Sequence, residues 1–166
     1  MSAFTALADA LGDLADAIRP LSAASFTTRD FSSSGSIGAH VRHCLDHAWA
    51  LERGIAIGEI CYDRRERDTV VERDPDLAVS RLRRARVRLG GISDELLDRP
   101  LTLVAQTHAD GRSIRVRTTA GRELAFVISH TIHHSAVIAI LLEQADEIVP
   151  LRFGLAPTTP NSVGSH

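Results

Sequence analysis

Cysteine is scarce: Cys44 and Cys61 are the only two in 166 residues. Two thiols do not build a disulfide framework, and no Cys-x-x-Cys pair is present. A reducing, cytoplasmic setting is the expectation that follows. Lysine is absent altogether, all 19 basic side chains being arginine, a bias to which no function is assigned. The opening stretch MSAFTALADALGDLADAIRP carries three Asp and no basic start, so it does not read as a secretory signal. No internal repeat occurs at solenoid periods. Glu-x-x-His is missing too, which removes the di-iron carboxylate bundle from consideration.

What is present is an ordinary balance of 44% hydrophobic residues and a net charge of −2, the composition of a soluble globular domain. The length suits one domain. A chain of this size buries roughly 70% of its unfolded surface and needs no covalent staples. One domain over residues 1–155 is expected, with 156–166 as a C-terminal tail. A single long apolar run, Leu124 to Leu142, has the length of a membrane span. It contains three His, whose imidazoles would need partners in lipid, and no second span accompanies it, so no membrane is expected.

Phe4, Leu7, Leu11, Leu14, Ile18 and Leu21 recur at steps of three and four, one face of a helix ended by Pro20. SAASFTTRDFSSSGS reads as a loop, with Ser34 or Ser36 as the next N-cap. The second helix, IGAHVRHCLDHAWALERGIAIG, turns Ile37, Cys44, Ala48, Leu51 and Ile55 inward. His40 and His47 share that side, His43 lies at its edge, and Arg42, Asp46 and Arg53 lie opposite. Asp74-Pro75 starts a third helix, with Leu82, Ala85, Leu89, Ile92 and Leu96 inward and a bend at Gly90-Gly91. LTLVAQTH and RSIRVRT flank Asp110-Gly111 as a hairpin. The last helix, about Gly121 to Ala145, is apolar nearly all round, as for a helix buried on several sides. The expected fold is all-α: a four-helix bundle joined by short polar links, with a small β-hairpin inserted between the third and fourth helices.

The unusual feature is the set of histidines on the second and last helices. Burying a polar group without a partner costs about 2–7 kcal/mol, and a shared divalent cation would satisfy several rings together. His130 and His134 are four apart and project from one helix face. His43 and His47 repeat that spacing. Helices packed at roughly 8–10 Å let a third imidazole reach across. Three imidazoles on such an ion leave an open position, the pattern of catalytic sites, and imidazole suits zinc, nickel, copper or iron alike. Separate core histidines without any metal are the competing reading.

SIGAHVRHCLDH, followed much later by SHTIHHSAVI, resembles the DinB/YfiT-like family of metal-binding four-helix bundles. The likeness runs over roughly residues 5–155, and YDRRERD, GRELAFVISHTIHH and FGLAPTTP resemble a narrower branch of it. It implies metal ligation by His43, His130 and His134, with zinc first and nickel or iron as alternatives. Many relatives follow the last of these His with Arg-Gly-Gln, where this chain has Ser135-Ala136-Val137. The resemblance also implies a homodimer. Characterised relatives include S-transferases and an isomerase using low-molecular-weight thiols, so the implied activity is metal activation of such a thiol, or of water, toward a small-molecule substrate. A non-catalytic metal-binding or ligand-sensing homodimer is the alternative.

His40 and His47 are then left over, as core or supporting hydrogen-bond partners, or, for His47, as a fourth ligand or proton carrier. His133 reads as a core or dimer contact. Tyr62 is a candidate for the mouth of the site. Arg65 or Arg67 is placed to grip an anionic substrate group bidentately, against an internal ion-pair network within YDRRERD. RLRRARVRL reads as a solvated helix face and not as a nucleic-acid surface, since the net charge is negative and no DNA-binding motif accompanies it. The catalytic candidates are therefore His47, Tyr62 and Arg65.

Overall fold

The computed structural model describes residues 2–29, 35–64 and 70–160. Among them the elements are α1 (Ala3–Ile18), α2 (Ala23–Thr27), α3 (Ile37–Ile57), β1 (Glu59–Ile60), α4 (Pro75–Gly90), β2 (Pro100–Gln106), β3 (Ser113–Thr119) and α5 (Ala120–Gln144).

Side-chain caps fix the starts of the long helices. Ser2 accepts from the Phe4 amide, Ser36 from Ala39, Asp74 from Leu77 and Thr119 from Arg122. Each cap satisfies one of the amides a helix start leaves without an intrahelical partner. Of the two serines considered for α3, Ser36 is the cap. That helix stops at Gly58, whose φ of 84° lets the chain turn left-handed and donate to the Gly54 carbonyl at 2.9 Å.

α1 packs against α4 and α5, and α3 packs against the same two. So α1 and α3 stand across the bundle from each other, as do α4 and α5. The links that cross the bundle are not short. α2 lies in the first, where Ser- and Thr-rich sequence reads as loop, and it buries Phe26 completely. A three-stranded sheet ordered β1-β2-β3 is tied into the second. β2 and β3 pair antiparallel, with Leu101 opposite Thr118 and Leu103 opposite Val116. β1 adds a short parallel edge, Glu59 opposite Thr102, so the expected hairpin is two strands of a three-stranded sheet. At the hairpin tip Gly111 adopts φ 90°, with its amide on the His108 carbonyl.

The core joins the predicted faces of α1, α3 and α4, with Phe4, Leu11, Cys44, Leu51, Leu82 and Leu89 almost wholly buried. Three expectations change. The third helix ends at Gly90 and does not bend through it, with a short 3-10 turn at Asp94–Leu96 following. Asp46 is buried and not outward, because Arg42 reaches across one helical turn to bind it at 2.7 Å. α5 is apolar but buried mainly along one side: Leu124, Val127, Ile138 and Leu142 are inside, while Ile140 is 56% exposed. Beyond α5, Phe153 is buried and Gly154, at φ 77°, lies directly over the α5 backbone at Ala136.

Candidate metal centre

The site lies where α3 meets α5. The four-residue spacing on each helix sets His43 above His47 and His130 above His134, and the helix contact brings the two pairs together. His43 and His130 face each other with their Nε2 atoms 2.8 Å apart. His47 completes a group in which one nitrogen from each of His43, His47 and His130 lies within 4.8 Å of the other two. Two nitrogens on a tetrahedral zinc ion, with bonds of about 2.0–2.1 Å, stand roughly 3.3 Å apart. Small ring rotations would therefore bring this cluster to ligand spacing, and the donor set fits a borderline divalent cation.

The His47 Nδ1 lies 3.0 Å from the His43 carbonyl oxygen. In a neutral ring Nδ1 is then the donor, so Nε2 carries the lone pair. Ligating histidines are oriented in this way by a hydrogen bond at the other nitrogen.

His134 adjoins the same cluster, its ring 4.6 Å from those of both His43 and His130. Its Nδ1 meets the Nδ1 of His40 at 3.0 Å. Burial and the neighbouring imidazoles hold His134 down to about 3, so it is neutral near pH 7. His40 is lowered also, chiefly by burial. Among the described residues, the Nε2 of His40 and the Oγ1 of Thr131 are buried without hydrogen-bond partners. His133 projects outward, its ring 5.2 Å from that of His134.

An aromatic wall closes one side. Tyr62 stacks on His47 at 5.0 Å with 12° between the planes, and Phe126 stacks on His130 at 5.5 Å. The Tyr62 hydroxyl donates to Glu123 Oε2 at 2.9 Å. Glu123 is fully buried, and its Oε1 accepts from Thr118 at 2.7 Å and from Arg122 at 2.8 Å. Burial, then the Glu123 charge and hydrogen bond, raise the Tyr62 phenol above its ordinary range, so it stays protonated.

Thus His43, His47, His130, His134 and Tyr62 come together. Arg65 and Arg67 lie outside the described residues. Cys44 is fully buried, its thiol pushed up to about 12 by burial and by Asp46, as a small core residue would be. Three arginines of α4 face acids on neighbouring helices: Arg83 stands 3.8 Å from Asp16, Arg86 3.4 Å from Asp9 and Arg88 2.6 Å from Glu52. Glu123 went unnoticed in the sequence. The available signal was its place seven residues before His130, which puts both on one face of α5.

FK506-binding protein 5 of Rhizopus delemar is 35% identical over 99 residues, which is 59% of this chain and 26% of that protein. The chain therefore spans about a quarter of that relative's length. No solved structure matches it. The family model described as DinB superfamily matches residues 6–138, from the first turn of α1 to beyond His134 on α5. That span contains α3 and the part of α5 that supplies the imidazoles, and the chain belongs to the DinB superfamily.

Proposed function

We propose that this protein binds a divalent transition metal at the α3–α5 contact and uses it on a small molecule, either a low-molecular-weight thiol or water. The observation that carries the reading is the convergence of His43, His47 and His130 nitrogens within 4.8 Å. His43 and His130 hold the ion in either arrangement considered. The third ligand is His47 by distance in the structure and His134 by the family resemblance. Zinc is the first choice for three imidazoles, with nickel or iron as alternatives.

A cation there supplies Lewis acidity, lowering the pKa of a thiol or water at an open position. The chain's own groups do the rest. The His47 ring is fixed by the His43 carbonyl and by Tyr62, and where His134 is the third ligand His47 stands beside the centre as a proton carrier. Phe126 and Tyr62 exclude water along one wall. Tyr62, with its proton held toward Glu123, contributes shape and not a titrating group. Arg65 remains the proposed grip for an anionic substrate group. FK506 binding forms no part of this proposal, since the likeness covers only 26% of the protein so named.

The test is metal content of untagged protein purified without chelator, followed by thiol-transfer and hydrolysis assays. One equivalent of metal, lost in His130→Ala together with activity, is expected. Loss in His47→Ala but not His134→Ala assigns the third ligand to His47, and the converse assigns it to His134. Metal-free protein, or activity unchanged in His130→Ala, defeats the enzymatic reading. A second reading, a non-catalytic metal-binding homodimer, is favoured by the uncharged outer face of α5. Retained metal with no turnover of any thiol or ester would establish it.

A further inference from the structure

The small sheet is joined to the candidate metal centre through one buried carboxylate. Tyr62 follows β1 by two residues, and Thr118 lies on β3. Both donate to Glu123, which sits in the first turns of α5, seven residues before His130. β1 comes this close to α3 because Gly54 has no side chain. A Cβ there would lie 2.8 Å from the Ile60 Cβ.

A carboxylate with no solvent exposure is costly unless its oxygens are satisfied. Glu123 has three donors: Tyr62, Thr118 and Arg122. The arrangement has a direction. Through Tyr62 it reaches the face of His47. Through Arg122, whose guanidinium carbon lies 5.7 Å from the Phe126 ring centre, it reaches the aromatic ring stacked on His130. Two imidazoles of the centre are thus backed by rings whose polar anchors meet on one side chain.

We infer that Glu123 is a positioning residue: by holding the Tyr62 hydroxyl and the Arg122 guanidinium, it fixes the aromatic wall that sets the orientation of His47 and His130 for metal binding. The inference rests on the metal reading above, and it goes beyond it in assigning the sheet and Glu123 a part in the centre. Neither Glu123 nor Tyr62 touches the ion in this account. Removing hydrogen-bonded supports of metal ligands lowers affinity by about 10–100-fold in characterised sites; the wall acts on His47 and His130 by stacking, so a loss of more than about twofold is expected.

The experiment is cobalt(II) titration of the full chain, following the visible ligand-field bands and the dissociation constant in wild type, Tyr62→Phe, Glu123→Leu and Glu123→Gln. Tyr62→Phe keeps the ring and deletes only the anchor, so it serves if Glu123→Leu does not fold. Weakened binding with altered bands in Tyr62→Phe, and recovery in Glu123→Gln relative to Glu123→Leu, are expected. The double variant Tyr62→Phe/Glu123→Gln is expected to bind less weakly than the product of the two single effects, because the two groups act together. Affinity within twofold of wild type and unchanged bands in Tyr62→Phe overturn the inference.

A second readout separates its failure from failure of the metal reading. The 15N shifts of the His47 ring are measured in metal-free wild type and Tyr62→Phe. Anchored, the ring holds one tautomer; released, it averages between two. If wild type binds no cobalt, the metal reading falls, and a ring-shift change in Tyr62→Phe still upholds the anchoring of His47. Unchanged shifts then remove that as well.

Discussion

His134 is held neutral at a pH where an exposed histidine would begin to charge, and this has a consequence for stability. Burial is the main cause, and the rings of His130, His40, His133 and His47 add to it. Its folded value of about 3 lies below the ordinary 6.5, so between those values the unfolded chain binds more protons than the folded one. Stability then rises with pH across that window, and is lost progressively as pH falls from about 6.5 toward 3. For chelator-treated protein, the urea midpoint is expected to fall steadily from pH 7 to pH 4. His134→Gln is expected to flatten that slope; parallel slopes in the two proteins would place the acid sensitivity elsewhere. With metal present, protons also compete for the imidazoles, so metal release adds to the loss. At this scale the sequence was most legible where local spacing does the work. His130 and His134 share a helix face because they are four apart, and His43 and His47 repeat the pattern. The place of Glu123 was hidden, because its role depends on Tyr62, 61 residues earlier in the chain, and no local pattern reports that meeting.

Elements come together most tightly at Gly38, on the first turn of α3. A Cβ there would stand 2.2 Å from the Glu72 carbonyl oxygen and 2.8 Å from the Phe26 ring. The backbone oxygen cannot turn aside as a flexible side chain could. Gly38→Ala is therefore expected to destabilise by about 1–3 kcal/mol, the usual range for overpacking, read as a lowered urea midpoint with unchanged slope. An unshifted midpoint would show that the segment before α4 yields freely. The same contact explains why α2 was not foreseen. Its five residues have a Ser- and Thr-rich composition that reads as loop, and the helix is held by Phe26 packing into the core. β1 escaped for a related reason: two residues carry no period, and their pairing with Thr102 and Leu103 is set by the end of α3. The long helices were legible because each has its own apolar face and its own cap. The exposed side of α5 was not legible, since an apolar outer face and an apolar inner face look alike in sequence.

Over the whole molecule, α5 leaves an uncharged face uncovered. No Asp, Glu or Arg occurs between Leu124 and Leu142, a stretch of about 28 Å along the helix at 1.5 Å per residue. The helix is long and apolar enough to cross a membrane by length and composition, with 33% of its most apolar window buried. The segment after α5 covers part of it where Gly154 meets Ala136. Ala125, Ser129, His133 and Ile140 remain exposed. Ala125 and Ile140 leave apolar side chains exposed on this uncharged face, and the proposed occupant is the same face of a second copy, the isologous contact of a two-fold dimer. Small side chains at 125 and 129 would let two such helices approach closely, and His133 would then be covered at the contact. Wild type is expected to sediment as a dimer. Ile140→Glu is expected to sediment as a monomer with the same helical circular dichroism, because the substituted side chain lies on the outside and takes no part in the core. Its metal content should stay at the wild-type level, since Ile140 lies six residues beyond His134 on a different face of α5. A wild-type monomer, or an Ile140→Glu dimer as tight as wild type, would mean that this face does not join two copies, and the non-catalytic homodimer reading would lose its support.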